Sequence, residues 1–592
     1  MEKQETKICQ NCKSEFTIEP EDFQFYEKLK VPAPTFCPDC RLQRRLTFRN
    51  ERTLYKDKCD LTGKSIISMY APGHPFPVYT PEAWRSDKWD QMTYGQDYNF
   101  SKPFFSQFQE LLKKVPRMSL GQTNGINADY ANYILDVKNV YLAYSVIYGS
   151  EDVYYSKIID GSKDIVDCFD VYSSEHCYEM IDGKQNYNCS FVYFSNNCID
   201  SSFLFDCANC QSCFGCVNLR NKSYYIFGKP YTKETYQEEV KKLTGSYKAL
   251  QEAKKLLREQ IAKTPRKYAR TINCVNSTGD DLRECKNVKN CFSTNEAENC
   301  SYVFRSPKLK DSMDATHAGK AEQMYEYITG GGAGSSLIRF TVYGLGNLID
   351  TFYTDYCQNS SNLFGCIGLR NKQYCILNKQ YSKEEYESLI PRIIKHMNEM
   401  PYIDKKGRTY KFGEFFPSEF SPVSYNESAA IEYFPLSRED AVANGYLWLD
   451  SNRKTYSVTL SGEKIPDSIS DTSDNILSEV IGCDHAGSCN HECVKVFRII
   501  SQEFSFYKKL NIPLPHLCPN CRYFERIKQR NPIRLFDRAC QCTGETSDNK
   551  IYQNTGNHIH GKSHCPNKFE TAYAPDRPEI VYCEACYQAE VI

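Results

Sequence analysis

No run of about eighteen apolar residues occurs in this sequence, so nothing in it reads as a membrane-spanning helix. Net charge is also missing, −1 over 592 residues, which excludes a chain that is basic overall and leaves only local basic patches for an anionic partner. The opening Met1-Glu2-Lys3-Gln4 has neither the basic nor the apolar region of a signal peptide. These absences predict a soluble, cytoplasmic protein with no membrane partner, and the length predicts several domains with sizeable cores.

Further absences narrow the chemistry. Gly330-Gly331-Gly332-Ala333-Gly334 lacks the Lys-Ser/Thr of a phosphate loop and reads as a flexible loop. Asp160, Asp164, Asp167 and Asp170 could line a groove in a carbohydrate-active β-helix enzyme, but turn-forming aspartate accounts for that spacing and no acid/base pair stands out. No catalytic residue is assigned, and binding is favoured over catalysis.

What the chain does have is cysteine, 30 of them, and tyrosine, 44. In a long untargeted chain, cysteines paired at ligand spacing read as metal ligands and not as disulfides. Cys9-x2-Cys12 with Cys37-Pro38-Asp39-Cys40 near the start is matched by Cys489-x3-Cys493 with Cys518-Pro519-Asn520-Cys521 near the end. A constant offset also superposes Phe16 on Phe497, Phe25-Tyr26 on Phe506-Tyr507 and Cys59 on Cys540. The pattern predicts a treble clef at each terminus, closed around structural Zn²⁺ by four protein ligands; iron is the competing ion. A further site is expected only at the C-terminus, from Cys540, Cys542, Cys583 and Cys586, with His558, His560, His564 and Cys565 as competitors for one position. In the N-terminal copy Leu61, Thr80 and Ala83 stand where three of these cysteines would be. Two to three zinc ions are expected in all.

The 15 cysteines between the terminal modules need another account. Phe214-Gly215-Cys216-Val217-Asn218-Leu219-Arg220-Asn221-Lys222 recurs as Phe364-Gly365-Cys366-Ile367-Gly368-Leu369-Arg370-Asn371-Lys372, so the middle is duplicated too. Upstream of each copy runs a repeat of about twelve residues, marked by Val140, Val153, Ile165, Cys177, Cys189, Cys198 and Cys210, then by Cys291, Cys300, Met324 and Leu348. A short strand followed by a turn at each mark predicts two tandem β-solenoid halves; an antiparallel sandwich is the competing fold. Cys207-x2-Cys210-x2-Cys213-x2-Cys216 has iron–sulfur spacing, but the related positions are Cys357, Ser360, Leu363 and Cys366, so thiols stacked inside coils explain both copies better.

The predicted organisation is mainly β and multidomain. It comprises a first zinc module at 1–127, solenoid halves with closing helices at 128–265 and 266–400, an extended wrap and linker at 401–480 with its most flexible part at 467–478, and a second zinc module at 481–592. After each Cys-Pro-x-Cys comes a line of arginines at a spacing of four, Arg41, Arg45 and Arg49, then Arg522, Arg526 and Arg530, with Arg44 and Lys528 beside them. That spacing puts them on one helical face. Such a stripe suits phosphate backbones, so RNA or DNA is one expected partner; the alternative is pairing with carboxylates, of which 129–206 holds many and no arginine. A protein assembly is the other partner class, and oligomeric state is not fixed by these features.

Phe25-Tyr26, Val31-Pro32-Ala33-Pro34, Cys37-Pro38-Asp39-Cys40-Arg41 and Arg49-Asn50-Glu51-Arg52, with Phe214 to Lys222, Gly413 to Pro417 and Tyr582-Cys583-x2-Cys586-Tyr587-Gln588, resemble a family of large zinc-ribbon and β-solenoid proteins of uncultivated bacteria and giant viruses. Some members carry a CaiB/BaiF label, which denotes a CoA-transferase family. Repeated zinc modules and twelve-residue repeats have no place in that α/β enzyme fold, so the resemblance implies an architecture and no activity.

Overall fold

The computed structural model describes residues 4–450 and 456–591; the opening tripeptide Met1 to Lys3 and part of the predicted wrap lie outside them. The described chain is mainly β. In its first half eight parallel strands close into a ring: from Ile134–Ile147 through Glu151–Tyr154, Lys163–Val166 and Glu175–Tyr178 to Tyr187–Tyr193, and back through Ile181–Lys184, Phe169–Tyr172 and Lys157–Asp160. Neighbours pair twelve residues apart, as in Val153↔Ile165, Ile165↔Cys177 and Cys177↔Cys189, except that Ile134–Ile147 pairs at a step of thirteen, as in Val140↔Val153. The second half forms a parallel sheet of 11 strands from Thr271–Ile272 to Lys379–Gln380, its last strand antiparallel.

Within the twelve-residue step lies a period of three. Asp164, Asp167, Asp170, Ser173, His176, Glu179 and Asp182 all have φ between +47° and +61°, so the backbone turns a left-handed corner at every third residue. The residue after each corner points inward: Ile165, Cys168, Val171, Ser174, Cys177 and Met180 are all buried. Inward positions are filled by small apolar groups or by side chains that bond within the stack, because a corner every three residues leaves little room. Most of the middle cysteines take these places, and the Sγ atoms of Cys207, Cys210, Cys213 and Cys216 face the carbonyls of Cys216, Leu219, Lys222 and Tyr225.

The terminal parts cross over. Aromatic side chains of the first half, among them Tyr154, Tyr178, Phe191 and Phe205, share a core with Phe504, Phe506 and Tyr507 from the C-terminal end. Tyr325, Phe340, Tyr353 and Phe364 of the second half pack with Tyr26, Phe36, Trp84 and Phe104 from the N-terminal end. Helices Lys233–Leu243, Tyr247–Lys263 and Lys383–Glu399 close the halves, the last starting in a Ser382/Glu385 capping box. The segment read as a flexible linker, 467–478, instead forms short 3-10 turns that bury Ile469 and Ile476 in the C-terminal core, with Leu477 packed against it; these three apolar residues anchor an otherwise polar stretch.

Candidate metal centres and the arginine stripes

Cys9 follows the hairpin strand Glu5–Ile8, and Cys37 is the N-cap of helix Pro38–Leu46, with proline in the first turn. That brings Cys9, Cys12, Cys37 and Cys40 together with all four sulfurs within 4.8 Å of one another. The Cys12 and Cys37 sulfurs are 3.7 Å apart. Thiolates about 2.3 Å from one tetrahedral ion stand about 3.8 Å apart, so the donor set fits a metal. Two N–H groups point at the sulfurs: Cys37 N donates to Cys9 Sγ at 3.3 Å, and Asn11 Nδ2 to Cys40 Sγ at 3.3 Å. The helix ends at Leu46, so Arg49 does not share its face as the spacing predicted; beyond Thr47 the Asn50 amide binds the Thr53 and Met69 carbonyls and turns the chain away.

At the other end the tetrad is Cys483, Cys493, Cys518 and Cys521. Cys489, expected as its first ligand, lies outside it. Cys483 follows the short strand Ile481–Gly482 as Cys9 follows its own, and accepts a hydrogen bond from Cys518 N at 3.3 Å, the counterpart of the Cys37–Cys9 contact. Seven more residues separate the two knuckle cysteines here than in the N-terminal copy, so a constant offset passes over Cys483. A cysteine after a short strand ahead of the matched Phe497 was the signal for it. The extra loop brings His485, Cys489 and His491 together with Cys521 as a second group whose ligand atoms lie within 4.8 Å of one another, with Cys489 Sγ 3.6 Å from Cys521 Sγ.

The third tetrad is Cys540, Cys565, Cys583 and Cys586. Cys565 takes the place expected for Cys542: it lies at the end of a long insertion between strands Phe536–Ala539 and Lys568–Thr571 that brings its sulfur within 3.8 Å of Cys583. The same N–H-to-sulfur contact recurs, Cys583 N to Cys540 Sγ at 3.2 Å, just ahead of helix Glu584–Val591. Cys542, His558 and His560 form a second group with Cys586, while His564 is exposed and outside both groups. In the N-terminal copy Thr80 caps its helix through Ala83 N and no such group forms among the described residues.

The arginines do not line a surface. Arg41 Nε meets Asp314 at 2.8 Å, and Arg45, one turn on, meets the other oxygen of Asp314 at 3.1 Å and Glu326 at 3.3 Å. Arg44 reaches Glu326 at 2.6 Å and Glu414 at 3.3 Å, and Arg49 reaches Glu51 at 2.8 Å. The C-terminal copy repeats this on the first half: Arg522 and Arg526 meet the two oxygens of Asp167 at 3.1 and 2.8 Å, and Arg530 meets Asp182 at 3.1 Å. Asp314 and Asp167 are both left-handed corner residues of their stacks, each with φ of 56°. Burial alone would lower the Arg41 pKa, but Asp314 together with Glu326, Tyr26 and Tyr325 outweighs it and the guanidinium is held charged. The acidic stretch thus serves as a dock, and the eight predicted nucleic-acid contacts reduce to Lys528, 58 % exposed beside Glu525. The same ion pairs occupy Asp167 and Asp170, two of the four aspartates considered for catalysis.

A cleft of about 1420 Å³ opens between 431–438 and the 485–496 loop, with Trp448, Arg438 and Lys495 in its walls. No helix among the described residues is long and apolar enough to cross a membrane. No family model, curated protein or solved structure matches the chain.

Proposed function

We propose that the chain is a zinc-stabilised binding scaffold: two β-solenoids of twelve-residue coils held side by side by treble-clef modules, serving assembly rather than catalysis. The observation that carries this reading is the pair of matching docks, Arg41 and Arg45 on Asp314, Arg522 and Arg526 on Asp167. Each metal module grips the half of the molecule far from it in sequence, so zinc bound at a terminus fixes how the two halves sit. Each tetrad supplies four thiolates and leaves no open coordination position, which suits a structural ion.

Contact with nucleic acid or a ribonucleoprotein, the use suggested by the stripes, would have to run through Lys528 and the outer faces, since the arginines are spent internally. Fluorescence anisotropy with mixed RNA and DNA oligonucleotides across a salt series, with light scattering on the same zinc-loaded samples, separates the two uses. The scaffold reading expects no steeply salt-dependent binding. Tight binding that weakens as salt rises would return the function to nucleic acid.

A further inference from the structure

Cys521 and Cys586 each belong to two ligand groups. Cys521 completes the tetrad with Cys483, Cys493 and Cys518, and also stands within 4.8 Å of the ligand atoms of His485, Cys489 and His491. Cys586 completes the tetrad with Cys540, Cys565 and Cys583, and also stands with Cys542, His558 and His560. We propose that these two cysteines are bridging thiolates, so that the C-terminal module holds two binuclear centres and the whole chain five metal ions. This rests on the metal-stapled reading above and extends it.

Four observations point the same way. First, the extra ligands carry unmet nitrogens: Nδ1 of His485, His491 and His558 is buried without a hydrogen-bond partner, as expected of a lone pair kept for an ion. Second, other ring nitrogens are oriented as metal-bound imidazoles usually are. His558 Nε2 bonds the buried Glu590 carboxylate at 2.9 Å, and His560 Nδ1 bonds the Ser563 carbonyl at 2.7 Å, which leaves His560 Nε2 to face Cys586 Sγ at 3.2 Å.

Third, every extra ligand but Cys542, which stands opposite Leu61, rides on an insertion that the N-terminal copy lacks, seven extra residues between Cys483 and Cys493 and a long stretch after Gly544. In that copy the sulfur equivalent to Cys521, Cys40 Sγ, receives the Asn11 amide at 3.3 Å; Cys489 Sγ approaches Cys521 instead. Fourth, the two centres have the same composition although their loops are unrelated: each gathers five cysteines and two histidines. Five thiolates against two divalent ions leave a single negative charge, less than four thiolates leave around one ion. A thiolate has lone pairs for two bonds, and soft sulfur with imidazole selects zinc or a similar thiophilic dication.

The test is cadmium-113 NMR on the full chain loaded with that isotope, with metal per chain measured by mass spectrometry. The proposal expects five resonances, four of them split into two mutually coupled pairs, because scalar coupling passes through a shared sulfur. Substituting His485→Ala with His491→Ala should remove one ion and one coupling while the resonance of the N-terminal tetrad stays in place. Three uncoupled resonances would overturn the bridges and leave the three structural ions intact. Five uncoupled resonances would also overturn them, and no bound metal would overturn this inference and the stapled scaffold together.

Discussion

Asp167 and Asp314 each receive two arginines from one helical face, in sites closed to water. Removing one member of such a set strands the others as buried charges, which costs about 3–5 kcal/mol. Asp167→Asn is therefore expected to destabilise by that amount in chemical denaturation; a loss under about 1 kcal/mol, the range of surface pairs, would show that the dock is solvated. Glu51 gives a pH signature. Burial pushes its carboxyl up, but Lys157 and Arg49 together outweigh that and hold it well below the usual carboxylate range. Its contribution is then present above the ordinary glutamate pKa and lost as pH falls through the folded value. Glu51→Gln should lower the melting temperature at neutral pH, with the gap to the native chain closing on acidification; a gap constant with pH would contradict this. Residue type and spacing showed Arg41 with Arg45 and Arg522 with Arg526 on one helical face each, whereas Arg49 and Arg530 lie beyond the ends of helices Pro38–Leu46 and Pro519–Ile527. Their partners were hidden, because Asp314 lies hundreds of residues from Arg41 and its corner position is a property of the stack.

At the scale of the element, the first stack is tied by a polar ladder. Ser162 N bonds Ser150 Oγ at 3.3 Å, Ser174 N bonds Ser162 Oγ at 3.1 Å, Asn186 N bonds Ser174 Oγ at 3.1 Å, and Cys198 N bonds Asn186 Oδ1 at 2.9 Å. Asn186 also donates to the Ser195 carbonyl at 2.9 Å. Asn186→Ala should cost about 1–3 kcal/mol for each group left unpaired, and exchange of the Cys198 amide should quicken. Unchanged exchange would mean that water replaces the side chain. The twelve-residue step was legible because Val153, Ile165, Cys177 and Cys189 recur at one inward position. The three-residue corners were legible only where turn-forming aspartate marks them, at Asp164, Asp167 and Asp170; residues such as His176, Phe191 and Phe203 adopt the same left-handed conformation and carry none of the glycine or asparagine that usually marks it. Likewise the ligand knuckles were legible where their spacing is short, at Cys9 and Cys12, and misread where an insertion separates Cys483 from Cys493.

For the whole molecule the account turns on crossed docking, N-terminal module on second half and C-terminal module on first. Cys37→Ser should weaken the first metal site, free helix Pro38–Leu46, and raise hydrogen exchange in that helix and in strand Met313–Glu322 beneath it, with the C-terminal module unaffected. Exchange confined to the mutated knuckle would mean that metal and docking are independent. The most direct measurement is arginine modification by phenylglyoxal, read residue by residue by mass spectrometry with metal bound and after chelation. The account predicts that Arg41, Arg45 and Arg526, at most 2 % exposed, stay unmodified in the metal-loaded chain while the exposed Arg438 reacts, and that all become reactive once metal is stripped. Modification of the three at the rate of Arg438 with metal in place would contradict the account, because the stripes would then face solvent rather than hold the two halves together.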